Sequence, residues 1–98
     1  MQYVTISFYQ FFSIEDVAGQ IASLQLAWKP LGVRGRIYLA KEGINAQLSL
    51  EKRQYAAWLR WKEASLFHNA PLKMHSTSEH AFEQLTIKER PQLCAIDV

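Results

Sequence analysis

The sequence is poor in cysteine and has no long apolar run. Cys94 is the only cysteine in 98 residues, which rules out an internal disulfide framework and favours a reducing compartment. Cys94 lies in the apolar segment 93–96 without an adjacent histidine motif, so we interpret it as a buried, inert thiol. No run approaches the ~20 apolar residues of a membrane helix, and residues 1–12 lack the basic start and cleavage site of a signal peptide. We expect a soluble, cytoplasmic protein.

An excess of either charge is also absent. Eleven basic and nine acidic residues give a net charge of +2, which by itself indicates no nucleic-acid partner. His68, His75 and His80 have no second cysteine near them to complete a tetrahedral metal site, and the segment between them is loop-like. We therefore interpret the histidines as solvated and predict no metal site. A hydrophobic content of 49% is enough for one globular domain with its own core.

Apolar periodicity predicts the first two elements. Residues 3–9 alternate between apolar and polar side chains, which is typical of a strand. Ser13 then resembles the N-cap of a helix, with Asp16 in the acidic position of a capping box. That helix carries an apolar stripe and ends at Pro30 and Gly32. The stripe is Val17, Ile21, Leu24 and Trp28.

A hairpin over residues 35–50 is the strongest local pattern. Both of its segments alternate, and Lys41-Glu42-Gly43 fits a three-residue loop whose glycine adopts a positive φ. A second helix follows from about residue 49 until 68–71, with Trp61 at the rim of its apolar side. That side is Tyr55, Trp58, Leu59 and Leu66. Residues 72–78 resemble a short irregular strand, and residues 85–90 alternate as a strand that Pro91 ends.

The resulting order is strand, helix, strand, strand, helix, strand. This order predicts an α+β, ferredoxin-like split βαβ fold, with an antiparallel four-stranded sheet and both helices on one face. The helix-free face would then carry basic, amide and tyrosine side chains, with Arg34 near its rim. These are Tyr3, Thr5, Ser7, Tyr9, Arg36, Tyr38, Asn45, Gln47, Ser49, Lys88 and Arg90.

Three roles for this helix-free face stay open. Tyrosines stack on bases and cations contact phosphates, so the face suits RNA, although the aromatic motif of RRM domains is missing. It is also compatible with an ordinary solvated surface or with packing against another domain. Acylphosphatases share the topology but need an arginine in the loop after the first strand. Residues 10–13 contain none, and Asn45 alone cannot bind a phosphate.

Three segments together resemble one known family. GRIYLAKEGINAQ at residues 35–47, TISFY at 5–9 and LTIKER at 85–90 are similar to the amino-terminal, acylphosphatase-like domain of the bacterial rhodanese-related tRNA uridine hydroxylases. The resemblance reaches from about Val4 to about Ile96. It implies that residues 1–98 form a single domain of a longer protein that hydroxylates the wobble uridine of tRNA with oxygen. It also implies a downstream rhodanese domain that carries the catalytic cysteine.

The resemblance therefore implies that this domain has no catalytic residue and no cofactor of its own. Its partners would be tRNA and the rhodanese domain. The candidate nucleic-acid-binding residues are Tyr9, Arg36, Tyr38, Asn45, Gln47, Lys88 and Arg90. Glu42 is a candidate for positioning the other domain, and Gly43 is interpreted as a structural turn residue.

Overall fold

A computed structural model describes residues 2–93 of the chain. Five strands and two helices follow one another, with a short 3₁₀ turn, Lys52–Gln54, before the second helix. They are β1 (Tyr3–Phe11), α1 (Val17–Trp28), β2 (Arg34–Ala40), β3 (Gly43–Glu51), α2 (Tyr55–Glu63), β4 (Lys73–Thr77) and β5 (Leu85–Glu89). Both helices within residues 2–93, twelve and nine residues long, are too short to span a membrane. Cys94, predicted to be a buried thiol, lies outside the described residues.

The sheet is mixed and has five strands in the order β4-β1-β3-β2-β5. The prediction of four antiparallel strands is therefore wrong in its last element. Lys73–Thr77 pairs antiparallel with β1 and occupies the edge position expected for residues 85–90. Leu85–Glu89 instead pairs parallel with β2 at the opposite edge. The ferredoxin-like part is thus β1 to β4, and β5 extends it.

The β2–β3 hairpin is confirmed, with a tighter turn than expected. Ala40 pairs with Gly43, so Lys41 and Glu42 alone form the loop. Gly43 has a φ of +148°, and a Cβ at this position would lie 2.1 Å from the Gln10 carbonyl oxygen. Only glycine combines that backbone conformation with such a close approach to the neighbouring strand.

The helix boundaries also differ from those predicted. Asp16, not Ser13, caps α1, because its carboxylate accepts a hydrogen bond of 2.9 Å from the Gly19 amide. The second helix begins at Tyr55 and ends at Glu63, so Leu66 lies beyond it and is half exposed. Trp61 is partly buried at the edge of the core, as expected for a rim residue.

One face of the sheet and both helices enclose the core. The inward strand residues alternate as predicted, and Ile6, Ile37 and Leu48 are fully buried. Trp28 of α1 and Trp58 of α2 meet between the helices with ring centroids 5.9 Å apart. Aromatic pairs with this spacing add to the free energy gained by burying their area. The core fixes both helices on one side, which leaves the opposite face of the sheet without a helix.

A connection that we call the strap, residues 78–84, joins the two edge strands. β4 ends and β5 begins at the same end of the sheet, so the strap crosses the helix-free face there. His80 of the strap packs on Tyr3, with ring centroids 4.5 Å apart, and its Nδ1 lies 2.7 Å from Ser49 Oγ. The Gly35 amide donates to the Gln84 carbonyl at 2.9 Å. The strap therefore covers one end of the face that the sequence predicts to be open.

Candidate nucleic-acid interface

The uncovered part of the helix-free face consists of two cross-strand rows. The strand registers place one row as Tyr9, Asn45, Tyr38 and Lys88, and the next as Lys73, Ser7, Gln47, Arg36 and Thr86. Phe11 lies on the same side of β1, and the Arg90 guanidinium sits over the ring of Tyr38. We call these eleven residues the open face. All seven residues predicted as nucleic-acid-binding candidates belong to it.

The open face is basic. Arg36, Lys73, Lys88 and Arg90 are exposed, and none of them forms an ion pair with another residue of the range 2–93. No position of the two rows carries a carboxylate. The one ion pair recorded in that range joins Arg53 and Glu51, away from the open face. Glu83 of the strap lines a pocket together with Arg36, but it forms no ion pair with it. Exposed cations outside ion pairs produce a positive potential that attracts phosphates.

The aromatic residues of the open face are not equivalent. Tyr9 and Phe11 are each about half exposed and pack edge to face, with ring centroids 5.6 Å apart. The ring of Tyr38, in contrast, is covered on one side by the Arg90 guanidinium at 4.4 Å from its centroid. Because of this cation–π contact, Tyr38 has less free ring surface on which a base could stack than Tyr9 has. Phe11 is the aromatic residue that the sequence analysis missed, because the predicted strand ended at residue 9.

The covered end of the face corrects three expectations. Ser49 is fully buried although it points to the helix-free side, because it bonds to His80 and accepts from the Ala81 amide at 3.2 Å. Thr5 Oγ1 is buried with no hydrogen-bond partner in the described chain. His80 is partly buried, not solvated. Its pKa is lowered from the ordinary 6.5, first by burial and then by the nearby Arg34 charge, while Glu51 opposes the shift.

Glu42 has a contact that the sequence does not reveal. Its carboxylate accepts a hydrogen bond of 2.7 Å from the Leu93 amide, and the Arg90 amide donates to the Leu39 carbonyl at 2.8 Å. Leu93 is fully buried. Glu42 thus fixes the last described residues against the β2–β3 turn. This is a positioning contact within the chain.

The loop after β1 does not form a phosphate cradle. The Phe12 and Ile14 amides donate to the carbonyls of Glu42 and Lys41, at 3.0 and 2.9 Å. These donors are therefore engaged, and the loop carries Glu15 and Asp16 in place of an arginine. Among the residues described, no group of three or more histidine, cysteine or acidic side chains is arranged to hold a metal ion. The candidate ligand-contacting side chains are therefore those of the open face.

Fold and surface together define an acylphosphatase-like α+β domain with a basic, amide-bearing sheet face. Residues 3–93 match the model of one such family, and the chain belongs to it: the UPF0176 acylphosphatase like domain. The predicted resemblance is thereby confirmed.

Relatives in this family are longer than the chain. A tRNA uridine(34) hydroxylase of Protochlamydia amoebophila is 33% identical over 96 residues, which are 97% of this chain and 30% of that protein. Rhodanese-like domain-containing protein 8, chloroplastic, of Arabidopsis thaliana is 34% identical over 93 residues, or 21% of its length. The chain therefore spans less than a third of either relative.

Solved structures with low sequence identity share the fold. The dark-state structure of BlrB, a BLUF protein, has a TM-score of 0.74 at 15% identity, covering 98% of this chain and 80% of that one. Full-length HypF has a TM-score of 0.56 at 15% identity over 90% of this chain and 12% of its own. At these identities the likeness concerns the path of the backbone alone.

Proposed function

We propose that this domain is the non-catalytic, RNA-binding part of a tRNA uridine hydroxylase, and that it binds tRNA through the open face. Four unpaired cations, side-chain amides and an exposed aromatic pair on one surface support this assignment more than any other feature. The names of the relatives supply the substrate class. Catalysis is assigned to the rhodanese domain that the family resemblance implies.

The chemistry of the open face suits folded RNA with unpaired nucleotides. Phosphate contacts of the exposed cations supply affinity and make it depend on salt, because binding releases condensed counterions. Bases that leave a helix stack on exposed rings and present their edges to amide groups. The absence of an RNP-type aromatic motif agrees with a surface that positions tRNA without reading a long sequence.

Salt-dependent binding tests this proposal. We expect the 98-residue chain to bind a fluorescein-labelled anticodon stem-loop RNA, with an anisotropy-derived affinity that falls steeply as KCl rises. Arg36→Ala and Lys88→Ala should each lower the slope of log K against log salt by about 0.7 to 0.9, the value for one lost phosphate contact. Arg60→Ala removes an exposed cation from α2, outside the open face, and is the matched control.

Two results would contradict the proposal. One is affinity that does not change with salt. The other is an equal loss of affinity from Arg60→Ala and Arg36→Ala, which would indicate that net charge alone controls binding.

A second function, packing of the open face on the rhodanese domain, is favoured by the apolar exposure of Phe11 beside Tyr9. Under this alternative the chain should bind an isolated rhodanese fragment of a relative in trans, and should bind RNA weakly even at low salt. Calorimetric titration of that fragment with wild type and with Phe11→Ser separates the two functions, because only the packing function predicts weaker association for the variant.

A further inference from the structure

A cavity of about 420 Å³ opens at one side of the open face. β4 pairs with β1 only as far as Ser7, so Tyr9 has no strand neighbour on its β4 side. The space beside Tyr9 is bounded across the sheet by β3 and at the edge by the segment that leads into β4. Its lining includes Ser7, Tyr9, Asn45, Gln47, Leu72 and Lys73.

The polar groups of this cavity are free to bind a ligand. Within residues 2–93, the side-chain amides of Asn45 and Gln47 make no recorded hydrogen bond, and Lys73 makes no ion pair. Each amide offers both donors and an acceptor, so it can match the mixed donor and acceptor edge of a nucleobase. Tyr9 is 50% exposed as a residue, and its ring offers an apolar face for stacking.

We propose that this cavity binds one unpaired nucleotide of the RNA. The base stacks on Tyr9, the amides of Asn45 and Gln47 contact its edge, and the Lys73 ammonium contacts the adjoining phosphate. A paired nucleotide does not fit this description, because a base within an A-form duplex is stacked between its neighbours and its Watson–Crick edge is paired, so neither its face nor that edge is available to Tyr9 and the two amides. The inference rests on the proposed function and adds the class of ligand, a single-stranded nucleotide, at a defined subsite.

The first test uses uridine 5′-monophosphate as the probe. In a ¹⁵N-labelled sample of the chain, we expect saturable shifts of the side-chain NH₂ signals of Asn45 and Gln47. Asn69, exposed in the loop after α2, is the internal control and should not move. Shifts of equal size at all three amides, or no saturable shift at Asn45 and Gln47, would overturn the cavity assignment.

The second test separates this subsite from the rest of the open face. Tyr9→Leu should weaken binding of a labelled single-stranded oligouridylate about ten-fold, whereas Tyr9→Phe, which keeps the ring, should change it by less than about two-fold. Neither variant should alter binding of an RNA duplex. Thermal melting by circular dichroism checks that both variants fold.

The outcomes distinguish the two proposals. Oligouridylate binding that is lost in Arg36→Ala and unchanged in Tyr9→Leu overturns the nucleotide subsite and leaves the proposed function in place. A wild-type chain that binds neither oligouridylate nor stem-loop RNA at low salt overturns both.

Discussion

The contact between His80 and Ser49 predicts a pH-dependent stability. Because burial lowers the pKa of His80 below 6.5, the unfolded chain binds a proton more readily than the native chain. The contribution of His80 to the free energy of unfolding is thus fully present above about pH 6.5. It is lost as the pH falls below that value, through the lowered native pKa.

The contacts of Ser49 and His80 set the expected size of the coupling free energy between them. Ser49 is fully buried, and its hydroxyl keeps the Ala81 amide as a donor when His80 is removed. The coupling between the two residues should therefore be that of one hydrogen bond, about 1 kcal/mol. A double-mutant cycle of Ser49→Ala, His80→Ala and the double variant measures it. For a domain of this size, 1 kcal/mol moves the urea midpoint by about 1 M or less.

Urea unfolding at about pH 7.5 and about pH 5.5 is the assay, followed by tryptophan fluorescence. His80→Gln keeps a hydrogen-bonding group without the titration, and we expect it to lose less stability on acidification than wild type. His75→Gln alters an exposed histidine on β4 and should behave as wild type. If wild type and His80→Gln lose stability equally between the two pH values, the assignment of the pH effect to His80 is wrong.

Two further predictions concern the folding of the sheet and core. Gly43→Ala places a Cβ against the Gln10 carbonyl at a positive φ and should cost about 1–3 kcal/mol in urea unfolding. Gly32 also has a positive φ, but a Cβ added there meets no atom within 4 Å. Gly32→Ala should therefore lower the free energy of unfolding by less than Gly43→Ala, and the reverse order would refute the steric argument. Trp58→Ala should cost about 3–5 kcal/mol by the same assay, because Trp58 is fully buried. Leu26→Ala, at a residue that is 80% exposed, should change stability by less than about 0.5 kcal/mol, and equal losses in the two variants would contradict the assigned core.

Local periodicity predicted the centre of the fold. β1, α1 and the β2–β3 hairpin each bury one side and expose the other, so their sequences alternate with the period of the element. The helix-free position of Tyr38 and Lys88 follows from the same alternation. The turn role of Gly43 could be predicted because the backbone conformation that the turn requires excludes other residues.

The edges of the sheet were not predictable in this way. The first four residues of β4 are exposed, so its sequence carries no burial pattern to mark it as the fourth strand. Leu85 and Ile87 do alternate, but nothing in that alternation specifies a parallel neighbour. The cover over Ser49 depends on His80, a residue 31 positions away that no local pattern connects to it.

The cavity beside Tyr9 illustrates the same limit. Tyr9, Asn45 and Gln47 were selected as candidates from their residue types and strand positions. Lys73 was not, because its place in the site depends on where β4 stops pairing with β1. A site that forms where two strands stop pairing leaves no recognisable pattern in the sequence of either strand.

The strap joins two strands that are neighbours in sequence and lie at opposite margins of the sheet. Each margin pairs with a different central strand, β4 with β1 and β5 with β2, so neither margin touches the other directly. The strap is therefore the one segment in residues 2–93 that links the two margins to each other, and it does so across the helix-free face through its contacts with Tyr3 and Ser49.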